Sequence, residues 1–115
     1  MFDITDPADP TLVDSVQLPC GSHTANGVPD LANGRLIVYN QGAGGPCFFF
    51  DIGEVPLAAP AESRLLRQQS LEVENGCHDS GVILGEVNLM ACASGDKANV
   101  FDIGENEGVD TEPDV

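Results

Sequence analysis

The chain has 115 residues, enough for one domain with a modest core, and its 42% hydrophobic content is too high for a disordered composition. Thirteen glycines and eight prolines favour a turn-rich β chain over a helical one. Nineteen Asp and Glu against four Lys and Arg leave a formal charge of −15, which repels phosphate backbones and anionic membranes and so argues against nucleic-acid partners, while cations and basic partners stay open.

No apolar run approaches the ~20 residues of a membrane-spanning helix, so membrane insertion is not expected. The first residues, MFDITDPADP, lack a basic stretch followed by an apolar one, so a signal peptide is not expected in this chain either.

In chain order, one phrase returns three times: FDITDP at 2–7, FDIGEVP at 50–56 and FDIGENE at 101–107, with starts 48 and 51 residues apart. A histidine precedes the second and third copies, in CGSHT at 20–24 and GCHDS at 76–80. An apolar run follows each histidine, GRLIVYNQG at 34–42 and GVILGEVNLMACASG at 81–95. A period near 50 is too long for most helical solenoids and suits a four-stranded propeller blade.

Each unit then reads as four strands. The first begins near the histidine, the second covers Leu36–Tyr39 or Val87–Cys92, the third covers Cys47–Ile52 or Asn99–Ile103, and the fourth covers Thr11–Leu18 or Arg64–Val73. β-Branched and aromatic residues in these runs, bounded by Asn-Gly, Gly-Gly and Asp-Pro, support strands. The segment PAESRLLRQQSLEV at 60–73 competes as a helix, with Pro60 near its first turn. Its counterpart after the first Phe-Asp-Ile phrase, DPTLVDSVQL at 9–18, carries β-branched residues, and the repeat favours a strand.

The expected fold is all-β: a partial β-propeller of about two four-stranded antiparallel blades in one segment, with units at roughly 1–19 (partial), 20–73 and 74–115 (partial). Propellers typically close with about four to eight blades. The expected partners are therefore the remaining blades or other copies of the chain, besides a protein or small ligand.

FDITDPADPTLVDSV resembles the LVIVD repeat, in which an Asp-Pro turn follows one strand and a second proline precedes the next. SHTANGVPDLANGRLIVYNQG, VPLAAPAESRLLRQQSL and CHDSGVILGEVNLMACASG look like successive parts of LVIVD-repeat β-propeller proteins, so the resemblance covers nearly the whole chain. It implies a propeller fold and a secreted, extracellular setting, and it carries no settled activity.

Cys20, Cys47, Cys77 and Cys92 allow three pairings. In an antiparallel meander the start of one strand lies beside the end of the next, which predicts Cys20–Cys47 and Cys77–Cys92 and an oxidising compartment. The rivals are free buried thiols and a zinc site from Cys20, His23, Cys77 and His78, whose ligand types suit tetrahedral zinc but whose adjacent Cys77 and His78 would point to opposite faces of a strand.

His23 and His78 hold equivalent places at the start of each unit's innermost strand. One reading is architectural, with each imidazole satisfied by backbone groups at the blade's inner corner. The other makes His23, His78 and Asp79, with Thr24 nearby, a site at a channel mouth for a divalent metal, the one cofactor these residue types suggest.

Nucleophilic catalysis by Ser22 or Ser80 is disfavoured, because neighbours on one strand rarely place acid, base and nucleophile in line. Asp3, Asp51 and Asp102 follow phenylalanine and are expected to accept amide hydrogen bonds from the turn two residues on. DIGENEGVDTEPD at 102–114 is rich in oxygen ligands but lacks the spacing of a calcium loop. The function expected from these residues is a non-enzymatic extracellular binding or scaffold module. The alternative is a metal-dependent propeller hydrolase with its His and Asp ligands at the channel mouth.

Overall fold

A computed structural model describes residues 1–42, 49–70, 76–105, 109 and 113. Its described strands form three antiparallel sheets: a two-stranded ribbon, a four-stranded meander and a three-stranded meander. We number the strands β1 (Phe2–Asp3), β2 (Thr11–Leu12), β3 (Thr24–Asp30), β4 (Arg35–Gln41), β5 (Phe49–Pro56), β6 (Arg64–Ser70), β7 (Asp79–Ile83), β8 (Val87–Ser94) and β9 (Lys97–Glu105). The β1–β2 ribbon, the β3–β4–β5–β6 sheet and the β7–β8–β9 sheet each pair consecutive strands, as short connections require. Among the described residues there is no α-helix, and no helix is long and apolar enough to cross a membrane.

The segment with helical composition resolves as the repeat predicts. Pro60–Glu62 makes one 3₁₀ turn, and the chain continues as β6 paired with β5. Ladder hydrogen bonds to β5 outweigh the helix propensity of this stretch, which tertiary pairing routinely overrides. The expected strand over Thr11–Leu18 shortens to Thr11–Leu12. Its partner β1 offers only Phe2 and Asp3 before Asp3 turns the chain by accepting the amide of Thr5 at 2.8 Å.

The four-stranded and three-stranded sheets pack face to face. Alternation along each strand decides which residues meet. Val28, Ile37, Tyr39, Phe50 and Ile52 from the first sheet join Met90, Cys92, Phe101 and Ile103 from the second in one buried cluster. Leu66 and Val82 pack against its margin. The Phe50 and Phe101 rings meet edge to face at 5.3 Å, and Tyr39 meets Phe50 the same way at 6.1 Å. Burying such a side chain stabilises the fold by about 2–3 kcal/mol.

The two sheets come closest along their first strands, β3 and β7, and stand further apart across the later ones, where the aromatic side chains fill the gap. Met1, Asp14, Val16 and Leu18 line a cleft over the opposite face of the first sheet, against Val38 and Asn40. The opposite face of the second sheet is open: Ile83, Val87 and Val100 are exposed there.

The repeated phrase does not occupy repeated positions. The amides of His23 and His78 donate equivalently, to the carbonyls of Gln41 (2.8 Å) and Ala93 (2.9 Å). Opposite Gln41 stands Phe50, whereas opposite Ala93 stands Ala98, three residues before Phe101. An odd offset moves every side chain to the other face of its sheet. The two-residue hairpin at Gly95 and Asp96 sets this register for β9, and Gly95 supplies the positive φ of 63° that such a turn needs.

The aspartates diverge with the register. Asp3 and Asp102 accept amides two residues on, from Thr5 and from Gly104 at 2.9 Å, as expected. Asp51 departs from that expectation: it is buried on the covered face of the first sheet, and one of its oxygens accepts from Gln68 at 2.7 Å. At the far end of that sheet Asp30, fully buried, receives the Arg35 guanidinium at 2.7 Å and the Asn33 amide at 2.9 Å. Arg64 and Arg35 both pair with Glu54, at 2.8 and 3.5 Å.

Cys77 and Cys92 are joined by a disulfide, Cα to Cα 5.5 Å, as predicted. It closes a loop with a sequence separation of 15, which in the chain-entropy account stabilises by about 3 kcal/mol. Cys20 is also disulfide-bonded. Its predicted partner, Cys47, lies outside the described residues. With Cys20 and Cys77 both oxidised, the Cys-His zinc arrangement loses both of its thiolates and does not form. Most of the oxygen-rich run at 102–114 lies outside the described residues as well.

Candidate functional site

The first strands of both sheets begin just after a histidine, and the ladder's first hydrogen bond fixes each histidine's backbone. Because β3 and β7 run side by side, the two imidazoles meet, with ring centroids 4.2 Å apart and planes tilted by 51°. Asp79, the first residue of β7, completes the group: its Oδ1 lies 3.6 Å from His23 Nε2, and its Oδ2 lies 3.1 Å from His78 Nδ1.

One nitrogen or oxygen from each of His23, His78 and Asp79 falls within 4.8 Å of the others. Strict strand alternation would separate neighbours such as His78 and Asp79. His78, however, precedes the strand, and its ring folds back onto the carboxylate. Cys77 turns inward to its disulfide, so the expected opposition of Cys77 and His78 holds.

Thr24 belongs to the same group. Its hydroxyl donates to Asp79 Oδ1 in a short hydrogen bond across the two sheets. Two residues on, Asn26 donates its amide to the hydroxyl and, at 3.3 Å, to the carbonyl of Ser80. Asn26 escaped the reading of the sequence, although period-two alternation from Thr24 places it on the same face. Ser80 is therefore engaged with Asn26 and not with either histidine.

The Thr24 hydroxyl, followed by the His78 ring, holds the Asp79 carboxyl below the ordinary aspartate range. The group is open to water: the His23, His78 and Asp79 side chains keep 43%, 57% and 59% of their exposure. A shallow groove runs from Asp79 along Gly81, Ala91, Ala93 and Ala98 on the open face of the second sheet. The site thus offers two imidazoles and one carboxylate from two sheets, at a solvent-facing rim and not within an enclosed cavity. Comparison of the chain with protein-family models, with curated proteins and with solved structures found no match.

Proposed function

We propose that this chain forms consecutive blades of an LVIVD-type β-propeller acting as an extracellular binding or scaffold module. The observation that carries the reading is the relation between the two meanders: consecutive antiparallel sheets, packed face to face, closest along their first strands and further apart across the later ones. Blades around an axis have this arrangement, with first strands innermost. His23 and His78 then stand at the rim of the central channel. The disulfide fits an oxidising, extracellular setting.

The exposure of the His-Asp group favours a binding or structural role over hydrolysis, because catalytic sites act from concave, water-excluding pockets. The hydrolase alternative draws on the same three side chains. The test is turnover of simple ester and phosphoester substrates by the exported protein with added Zn²⁺. The scaffold reading expects wild type and His78→Ala to be equally inert. Metal-dependent turnover lost in a folded His78→Ala protein would replace it with the hydrolase.

A further inference from the structure

We propose that His23, His78 and Asp79 bind a divalent transition-metal ion that fastens the two sheets together along their first strands. This goes beyond the scaffold reading and does not depend on it, since a structural ion needs no substrate. His23 comes from the entry to β3, and His78 and Asp79 come from the entry to β7, so one ion on all three spans the sheet junction.

The spacing is that of ligands around a small ion. Four-coordinate zinc with bonds of about 2.0–2.1 Å sets its ligand atoms about 3.3 Å apart. His23 lies 3.6 Å from one oxygen of the carboxylate and His78 lies 3.1 Å from the other, and a set of one donor atom from each residue spans no more than 4.8 Å, within reach of that spacing by small side-chain rotations.

The donor set selects the ion. Two imidazoles with one carboxylate suit Zn²⁺, Co²⁺, Ni²⁺ or Cu²⁺, whereas Ca²⁺ and Mg²⁺ prefer all-oxygen cages. Thr24 does what outer residues do at metal sites: its hydroxyl fixes the orientation of the carboxylate. The main-chain hydrogen bonds of His23 and His78 pin both imidazoles at their roots. A chain carrying −15 also raises the concentration of cations at its surface. The remaining coordination positions face solvent and take water.

The test uses the whole oxidised chain, freed of metal with a chelator and titrated calorimetrically with Zn²⁺ at neutral pH, with Ca²⁺ in excess to occupy loose carboxylate sites. The expected result is one saturable Zn²⁺ site and a rise in melting temperature on binding. His23→Ala abolishes both, and Asp79→Asn, which removes the carboxylate ligand, weakens binding by more than the roughly 10- to 100-fold that loss of an outer residue costs. Thr24→Val weakens binding about tenfold, and Glu86→Gln, a remote exposed carboxylate, changes nothing.

Circular dichroism establishes that each variant is folded, as the exposure of these side chains leads one to expect. A titration unchanged by His23→Ala and Asp79→Asn overturns the proposal, as does a wild type with no saturable site or no thermal shift. None of these outcomes bears on substrate turnover, so the failure of this site and the failure of the scaffold reading are distinguishable.

Discussion

In the first sheet Phe50 and Ile52 face the second sheet, while Asp51 between them is buried on the face that the N-terminal segment covers. In the second sheet Phe101 and Ile103 face back toward the first, while Asp102 projects into water. One phrase thus supplies both halves of a single apolar layer by lying on opposite faces of successive sheets. The same aspartate is a buried acceptor for Gln68 in one sheet and the cap of its own turn in the other. Local sequence made both segments strands. The connection before each strand set the register, and the register decided which side chains became core.

The sharpest way to break this comparison is to empty the shared layer. Phe101→Ala removes a fully buried ring packed on Phe50 and is expected to cost about 4 kcal/mol in urea unfolding. Val100→Ser, one residue earlier on the open face, is expected to stay within about 0.5 kcal/mol. Equal effects at the two positions would mean that β9 is turned the other way.

Each sheet also has its own fastener. Removing the second sheet's disulfide with Cys77→Ala and Cys92→Ala together should cost about 3 kcal/mol, measured by the same unfolding. In the first sheet Arg35→Ala strips the guanidinium from the fully buried Asp30, and the expected cost is again about 3 kcal/mol, most of it the penalty of an uncompensated carboxylate. Asp30→Asn added to Arg35→Ala should restore part of that loss, which a purely packing role for Arg35 would not allow.

The two aspartates sharpen the contrast at a smaller scale. The second oxygen of Asp51 and the side-chain oxygen of Asn40, at paired positions on β5 and β4, are buried without hydrogen-bond partners among the described residues. Asp51→Asn removes a buried charge and adds a donor beside that oxygen, so a gain of up to about 1 kcal/mol is expected. Asp102→Asn, in solvent, is expected to change denaturant midpoints hardly at all.

The last prediction concerns acid. Thr24 and His78 hold the folded Asp79 carboxyl below its ordinary range, so its contribution is complete above the unfolded-state value and is lost as pH falls through the lower, folded one. Urea midpoints measured from neutral to acid pH should therefore decline less steeply for Asp79→Asn than for wild type. An identical decline would remove Asp79 from the interaction.

Much of this architecture was legible from short-range features. β-Branched and aromatic runs between turn signals marked β4, β5, β8 and β9. Repeat logic turned the helix-like composition of 60–73 into β6. The meander rule paired Cys77 with Cys92. Placing His23 and His78 at equivalent strand starts also brought them together with Asp79 once β3 and β7 were neighbours.

The rest depended on register between segments distant in sequence. No local pattern says that Phe101 stands three positions beyond the site matched by Phe50, because the tight Gly95-Asp96 hairpin sets the register of β9. For the same reason Asp51 looked like its counterparts Asp3 and Asp102 until its face was known. The strand expected over Thr11–Leu18 was cut to Thr11–Leu12 by the brevity of its partner, which the residues of 11–18 themselves do not encode.

The central claim is that Phe50 and Phe101, alike in sequence, meet in one layer between two sheets. Nuclear Overhauser contacts in a phenylalanine-labelled sample test it most directly, since the chain has only five phenylalanines to assign. The account predicts strong contacts between the Phe50 and Phe101 rings, whose centroids lie 5.3 Å apart, and contacts from Phe101 to Met90, its partner across β8 and β9. A Phe101 ring without contact to Phe50, together with a Val100 side chain in contact with Ile52 or Tyr39, would contradict it.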